Sequence, residues 1–235
     1  MSSRARIREK PFNPRDTAAY TLSEAARYLK LPAATLRSWV IGRPYPKGEG
    51  VAHSRPLIHP PSSPPPLLSF WNLVEAHVLR ALRTEHGVSL KDLREALRYA
   101  ERHLNIERLL LDKRLRTDAG TLFVERYGQL INLSASGQLA MRKMFDAHLK
   151  RIEWADVTFP IRLYPFVASS PETPDKPIAI DPAVAFGRPI IVSAGVTTHA
   201  IADRVDAGEA VDAIAEDYGL APADVEQAVL YERAA

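Results

Sequence analysis

The side chains of this chain best placed for chemistry are cations and hydroxyls. Thr35, Arg37 and Ser38 lie almost side by side, and Arg43, Tyr45, Lys47, His53 and Arg55 follow closely. Hydroxyls, guanidinium groups and an ammonium in this order suit phosphate oxygens and base edges, so the chemistry is non-covalent recognition of nucleic acid. Other chemistries lack their residues. There are no cysteines, which excludes thiolate zinc sites, cysteine nucleophiles and disulfides, and the seven histidines show no ligand spacing. Asp112, Asp118 and Glu125 form no evident acid–base pair, and the glycines of GRPIIVSAGVTT match neither nucleotide-binding spacing. We therefore expect no catalytic residue, metal or cofactor, and no enzyme.

Those residues need a scaffold, and the sequence supplies one. Thr21 and Glu24 fit a capping box that opens a helix with Leu22, Ala25, Ala26 and Leu29 on one face. Pro32 suits the first position of a second helix, running to about Val40, which buries Leu36 and Trp39 and exposes Thr35, Arg37 and Ser38. Two short helices with a tight turn make a helix-turn-helix whose second helix enters the major groove. After Gly42, RPYPKGEGVAHSR has the turn residues and charge of a wing. Two Pro-rich runs, Arg55 to Pro66 and Ser169 to Pro177, read as extended linkers.

Beyond the first linker, Ser69 caps a helix with Phe70, Leu73, Val74, His77, Val78, Ala81 and Leu82 on one stripe, closed by Gly87. His77 reads as a packed histidine. Ser89 and Asp92 start another helix, in which Leu90, Leu93, Leu97, Ala100 and Leu104 recur at heptad-like intervals, suited to a partner helix or to the chain's own core. Thr121 to Asn132 is rich in strand formers around Tyr127-Gly128 and suggests a β-hairpin; residues 136–152 follow as an amphipathic helix through Met141, Met144, Phe145, His148, Leu149 and Ile152. Near the end comes a short strand at Pro189 to Val192. Three helices follow, punctuated by Thr197 or Thr198, Gly208, Glu209, Gly219 and Pro222. The expected fold is mainly α with a small β component: an N-terminal winged helix-turn-helix with a dimerisation helix (1–108), a middle β-hairpin plus helix (109–168), a linker (169–176) and a C-terminal three-helix, helix-turn-helix-like domain (177–235).

Charge separates the two ends. Residues 1–108 carry 18 Lys/Arg against 10 Asp/Glu, residues 109–235 carry 13 against 18, and 177–235 alone carry 3 against 10. A polyanion should meet the first end, whereas Asp203, Asp206, Glu209, Asp212, Glu216 and Asp217 would repel phosphate from the last, which more plausibly faces protein. The basic N-terminus lacks the apolar core of a signal peptide and no run is long enough to span a membrane, so a cytoplasmic protein is expected.

Thr35-Leu36-Arg37, followed by Ser38 and Trp39, resembles the motif of MerR-type winged helix-turn-helix regulators, with Ser38 replacing the first of two aromatics. Residues 177–235, with their IDP, GRP, AG and AxDYG landmarks, resemble the small C-terminal domain of one subgroup of VapB-type antitoxins. The NLVEAHVLRALR helix and Gly137-Gln138 extend the likeness over most of the chain after Tyr20. The resemblance implies an antitoxin of a type II toxin–antitoxin pair. Its partners would be a PIN-domain (VapC-type) ribonuclease and, as a homodimer, double-stranded operator DNA. Arg188, Arg204 and Arg233, the only arginines in the acidic segment, are then candidates for toxin contact. The alternative is a stand-alone MerR-like transcription regulator that senses a small molecule.

Overall fold

The computed structural model describes residues 13–48, 50–82, 90–130, 134–155, 159–167 and 176–234, except for the side chains at 90, 118 and 135–137. Thr21 opens helix α1 (Leu22–Leu29) with a complete capping box: Thr21 Oγ1 accepts from Glu24 N–H at 3.2 Å, and the Glu24 carboxylate accepts from Thr21 N–H at 2.9 Å. Lys30 ends it in the left-handed region, φ 52°, so the chain turns at once into α2 (Ala33–Val40), for which Pro32 is the N-cap. Next, strands β1 (Pro44–Lys47) and β2 (Gly50–His53) pair antiparallel as a wing, Pro44 opposite His53 and Lys47 opposite Gly50. The Pro-rich run after the wing is not a linker. Leu57 and Ile58 N–H donate to Trp39 O at 2.7 and 3.1 Å, and Ile58 is fully buried, because the run's apolar side chains hold it on the core.

Helix α3 (Phe70–Arg80) is capped by Ser69, and its residues Phe70 to Leu79 are buried on every side, not along one stripe. Helix α4 (Leu90–Leu104) turns Leu93, Ala96, Leu97 and Ala100 inward and lies along α5 (Asp118–Leu130). Leu93, Leu97 and Ala100 of the heptad-like stripe are therefore packed within this chain, while Leu104 is half-buried. Gly87, Ser89 and the Leu90 side chain lie outside the described residues. The expected β-hairpin at 121–132 is instead helix α5, with residues 131–132 outside the described set. Strand-forming residue types misled here, whereas the period is helical: Ala119, Phe123 and Tyr127 are buried at i, i+4 and i+8. Gly128 does not make a turn. A Cβ there would lie 2.9 Å from Gln138 Cγ, so this glycine lets α6 (Ala135–Leu149) approach.

The middle segment does contain a hairpin, after α6. Strands β3 (Ile152–Trp154) and β4 (Pro160–Leu163) continue into β5 (Ile178–Ile180) and β6 (Pro189–Ile191), in the order β3-β4-β5-β6 with every pair antiparallel. Three helices close the chain: α7 (Thr198–Asp206), capped by Thr197; α8 (Val211–Tyr218), ended by Gly219 in the left-handed region; and α9 (Pro222–Arg233). One buried cluster runs from Tyr20 to Leu163 and Ile180 without a break at residue 108, and a second joins Val167, Ile178 and Ile191 to the last helices. Of the expected linker at 169–176 only Lys176 is described.

The small C-terminal unit docks against α1. Tyr20 Oη donates to Gly187 O at 3.0 Å, Tyr231 Oη donates to Tyr28 O at 2.8 Å, and Arg27 pairs with Glu232 at 2.7 Å. Lys30 Nζ donates to Tyr231 O and stands 4.0 Å from the centre of its ring, where burial lowers the Lys30 ammonium to about 8. Gly187 is required at this seam: its φ is +74°, and a Cβ would lie 2.0 Å from Tyr20 Oη.

Buried polar groups make the stability of the fold sensitive to pH and to single hydroxyls. His77 Nε2 donates to His148 O at 3.0 Å and His148 Nδ1 to Met144 O at 2.9 Å, while burial holds His77 well below the ordinary imidazole range and lowers His148 to about 4. The unfolded chain therefore binds protons first, and stability present above about pH 6.5 is lost as pH falls toward 4, by on the order of 3 kcal/mol for His148. Urea midpoints measured from pH 7 to 4 should fall less for His148→Asn than for the wild type; an equally steep fall contradicts this. Among the described residues, Tyr127 Oη is buried with no hydrogen-bond partner. Tyr127→Phe should therefore leave stability unchanged or raise it by about 1 kcal/mol, and a clear loss in the urea midpoint would show that the hydroxyl is bonded.

Candidate nucleic-acid interface

With Leu36, Trp39 and Val40 turned inward, α2 shows solvent only a narrow outer face, made of Ala33, Ala34 and Arg37 and continued by Ile41. Thr35 and Ser38, expected on that face, are 4% and 2% exposed. Ser38 Oγ donates to Thr35 O at 2.7 Å, the internal bond of a helical serine hidden from water. The buried arc of this short helix is wider than Leu36 and Trp39 alone would set, and it takes in the neighbouring hydroxyls. Arg37 is left as the single long polar side chain on the outer face. Two alanines before it let the helix backbone come close to whatever it meets.

The wing is tied to α2 at its root. Gly42, at φ +90°, cannot carry a side chain because a Cβ would sit 2.0 Å from Ser54 O. Ser54 N–H donates to Arg43 O and Arg43 N–H to Ser54 Oγ, both at 2.8 Å. Arg43, Tyr45, Lys47, His53 and Arg55 are all exposed, so the structure gathers the expected wing residues on one hairpin and its two flanks. None of these arginines or Lys47 forms an ion pair among the described residues.

Across a cleft from the wing stands a row of cations missing from the sequence reading. Lys91, Arg94, Arg98 and Arg102 share one face of α4, and Arg126 joins them from α5. Arg94 donates to Arg55 O and so ties α4 to the wing root. The signal was present in the spacing of three, four and four residues, on the helix side opposite the apolar stripe.

At the acidic end the three candidate arginines differ. Arg204 is held by Glu209 at 2.9 Å and Asp217 at 2.6 Å, and Arg233 by Asp206 at 2.6 Å. Arg188 is exposed and forms no ion pair among the described residues. Beside it lies a feature without a sequence signal: Phe186 is 93% exposed, and both Ala185 (φ 47°) and Phe186 (φ 56°) adopt the left-handed region that non-glycine residues avoid. Among the described residues, no helix is long and apolar enough to cross a membrane.

Comparison with known proteins agrees with this division. Residues 18–97 match the family described as "Putative DNA-binding HTH domain", and residues 178–231 match "Protein of unknown function (DUF433)". An uncharacterised Mycobacterium tuberculosis protein, Rv2308, is 27% identical over 93% of this chain and 91% of its own length. The crystal structure of Rv2018 from Mycobacterium tuberculosis superposes with a TM-score of 0.66 at 25% identity, covering 91% of this chain and 98% of that one. A further Mycobacterium tuberculosis relative, described as "Putative antitoxin VapB45", is 30% identical over 91% of this chain and 93% of its own. With a helix-turn-helix at one end and that likeness sustained almost end to end, the chain belongs to the VapB45 family of antitoxin-type proteins.

Proposed function

We propose that this chain is an antitoxin that binds operator DNA through α2 and the wing, represses its own operon, and neutralises a PIN-domain (VapC-type) ribonuclease. The observation that carries the reading is a winged helix-turn-helix with an open cationic face, set in a chain that is similar to an antitoxin over nine-tenths of its length. Arg37 reads the major groove, while Arg43, Tyr45, Lys47, His53 and Arg55 hold the backbone. As a homodimer, the protein reads an inverted repeat with half-sites about one helical turn, 10 to 10.5 base pairs, apart. Leu93, Leu97 and Ala100 of the α4 stripe are buried in the chain's own core, which favours a dimer contact elsewhere. Relatives described as antitoxin and DNA-binding point away from an enzyme.

Toxin contact belongs on the acidic unit. Of its three arginines only Arg188 forms no ion pair among the described residues, though it lies near enough to Glu24 to help lower that carboxyl, and Phe186 beside it presents a ring that is 93% exposed. An aromatic next to an arginine is the composition of a binding hot spot, and a guanidinium suits the carboxylates of a metal-dependent nuclease. This end cannot simply be cut away, since β5 pairs with β4 and Ile180 lies in the larger core. Point variants are therefore the test.

Arg37→Ala, Arg43→Ala, Lys47→Ala and Arg55→Ala should each weaken binding to duplex DNA from upstream of the chain's own gene and reduce the log–log salt slope by about one unit. Four unchanged slopes overturn the wing and helix assignment. Phe186→Ala and Arg188→Ala should each weaken the complex with the PIN-domain toxin about 10-fold or more by titration calorimetry, with DNA binding intact; unchanged affinity in both removes this loop from the toxin interface.

A further inference from the structure

The cleft between the wing and α4 encloses about 1130 Å³ and is lined almost wholly by one sign of charge. Arg43 and Arg55 come from the wing side, and Lys91, Arg94, Arg98 and Arg102 from α4. The one carboxylate in the lining, Glu95, is answered by Arg126 at 3.2 Å. Arg43, Arg55, Arg98 and Arg102 have no ion-pair partner among the described residues. Like charges four residues apart on one helix face oppose the helix that carries them. Burial, and after it the neighbouring Arg98, weaken the hold of Arg94 on its proton.

Aromatic groups share the same walls. Tyr99 and His103 lie with ring centres 4.0 Å apart, the Arg126 guanidinium covers Tyr99 at 5.0 Å, and Tyr45 faces the cleft from the wing. Cations that track a backbone, interleaved with rings on which bases can stack, form the combination that binds unpaired strands without sequence preference. A duplex keeps its bases paired and can bring only a ridge of backbone to the mouth of such a recess. An unpaired strand can give phosphates to the arginines and base faces to the rings at once. The basic face of α4, from Lys91 to Arg102, extends along about 16 Å of helix axis, so it serves a chain of phosphates better than a single anion.

We propose that the cleft between the wing and α4 is a binding site for single-stranded nucleic acid, which shares the wing residues Arg43, Tyr45 and Arg55 with the duplex site and is set apart from it by the basic face of α4. Its readout is fluorescence anisotropy of the full chain with three probes: a fluorescein-labelled 12-mer of uridine, a 12-mer of thymidine, and a DNA duplex of 24 base pairs from upstream of the chain's own gene. The single strands should bind at 50 mM NaCl. The double variant Arg98→Gln/Arg102→Gln should weaken that binding 10-fold or more and reduce its salt slope by about 1.4 units, as expected for two lost phosphate contacts, with duplex affinity unchanged within twofold. Tyr99→Ala should weaken single-strand binding about 5-fold or more without changing the slope. Both arginines are exposed, so the double variant should keep its thermal midpoint. No binding of either single strand, or a parallel loss of single-strand and duplex binding, overturns the proposal; the second result would make the cleft a flank of the duplex site. Single-strand binding that persists where the wild type binds no duplex would uphold this site and defeat the operator reading instead.

Discussion

Helix α3 is buried on all sides, and the placing of the wing, α4 and the N-terminal turn follows from what that burial requires. A helix with no solvent face must find internal partners for every polar group it carries, and α3 carries Asn72, Glu75 and His77. Asn72 Oδ1 accepts from Ser69 N–H at 3.0 Å, and its amide donates to Glu75 at 2.9 Å and to His59 O at 3.2 Å. Glu75, whose carboxyl burial raises against the opposing pull of Arg108, accepts from that arginine at 3.0 Å, and Arg108 reaches on to Asp16 at 3.2 Å. These bonds hang the segment after the wing, the segment after α4 and the N-terminal turn from one helix. The wing keeps its angle to α2 because the chain leaving it is held twice, at Trp39 O and at Asn72.

Opposite charge at the two ends does not mean that the ends attract along their length. Their seam is largely neutral: two tyrosine hydroxyls on backbone carbonyls, one lysine on another, and the Arg27–Glu232 pair. The seam lies on α1, so the outer face of α2 and the whole wing stay open. The acidic residues of α7 and α8 are partly spent on Arg204 and Arg233, which keeps those arginines inside the unit and leaves Arg188 outward. Strain at Ala185 and Phe186 belongs to the same logic. A phenylalanine held outside any core, in a conformation that costs free energy, contributes nothing to folding.

Local signals were the legible ones. Thr21 with Glu24, Ser69, Thr197, Gly219 and Pro222 all mark helix ends, because a cap acts within one turn and needs no tertiary context. Features decided by packing were harder to read. The strand-forming composition of 121–130 gave way to a helical stripe through Phe123 and Tyr127, and Gly128 serves a neighbouring helix that sequence alone cannot place. Thr35 and Ser38 are polar by type but lie within the buried arc of α2. The Pro-rich run after the wing carries Leu57 and Ile58, whose burial outweighs the extended habit of proline. Apolar periodicity drew attention to one side of α4, while the row of cations lay on the other.

If charge and not shape selects the partner, nucleic acid meets only the basic end, despite the three-helix, helix-turn-helix-like shape of the other. Hydrogen–deuterium exchange on the full chain, with and without duplex DNA from upstream of its own gene, separates the two ends. Added protection is expected in 33–55 and none in 198–233. Protection confined to 198–233, or equal at both ends, would show that shape outweighs charge.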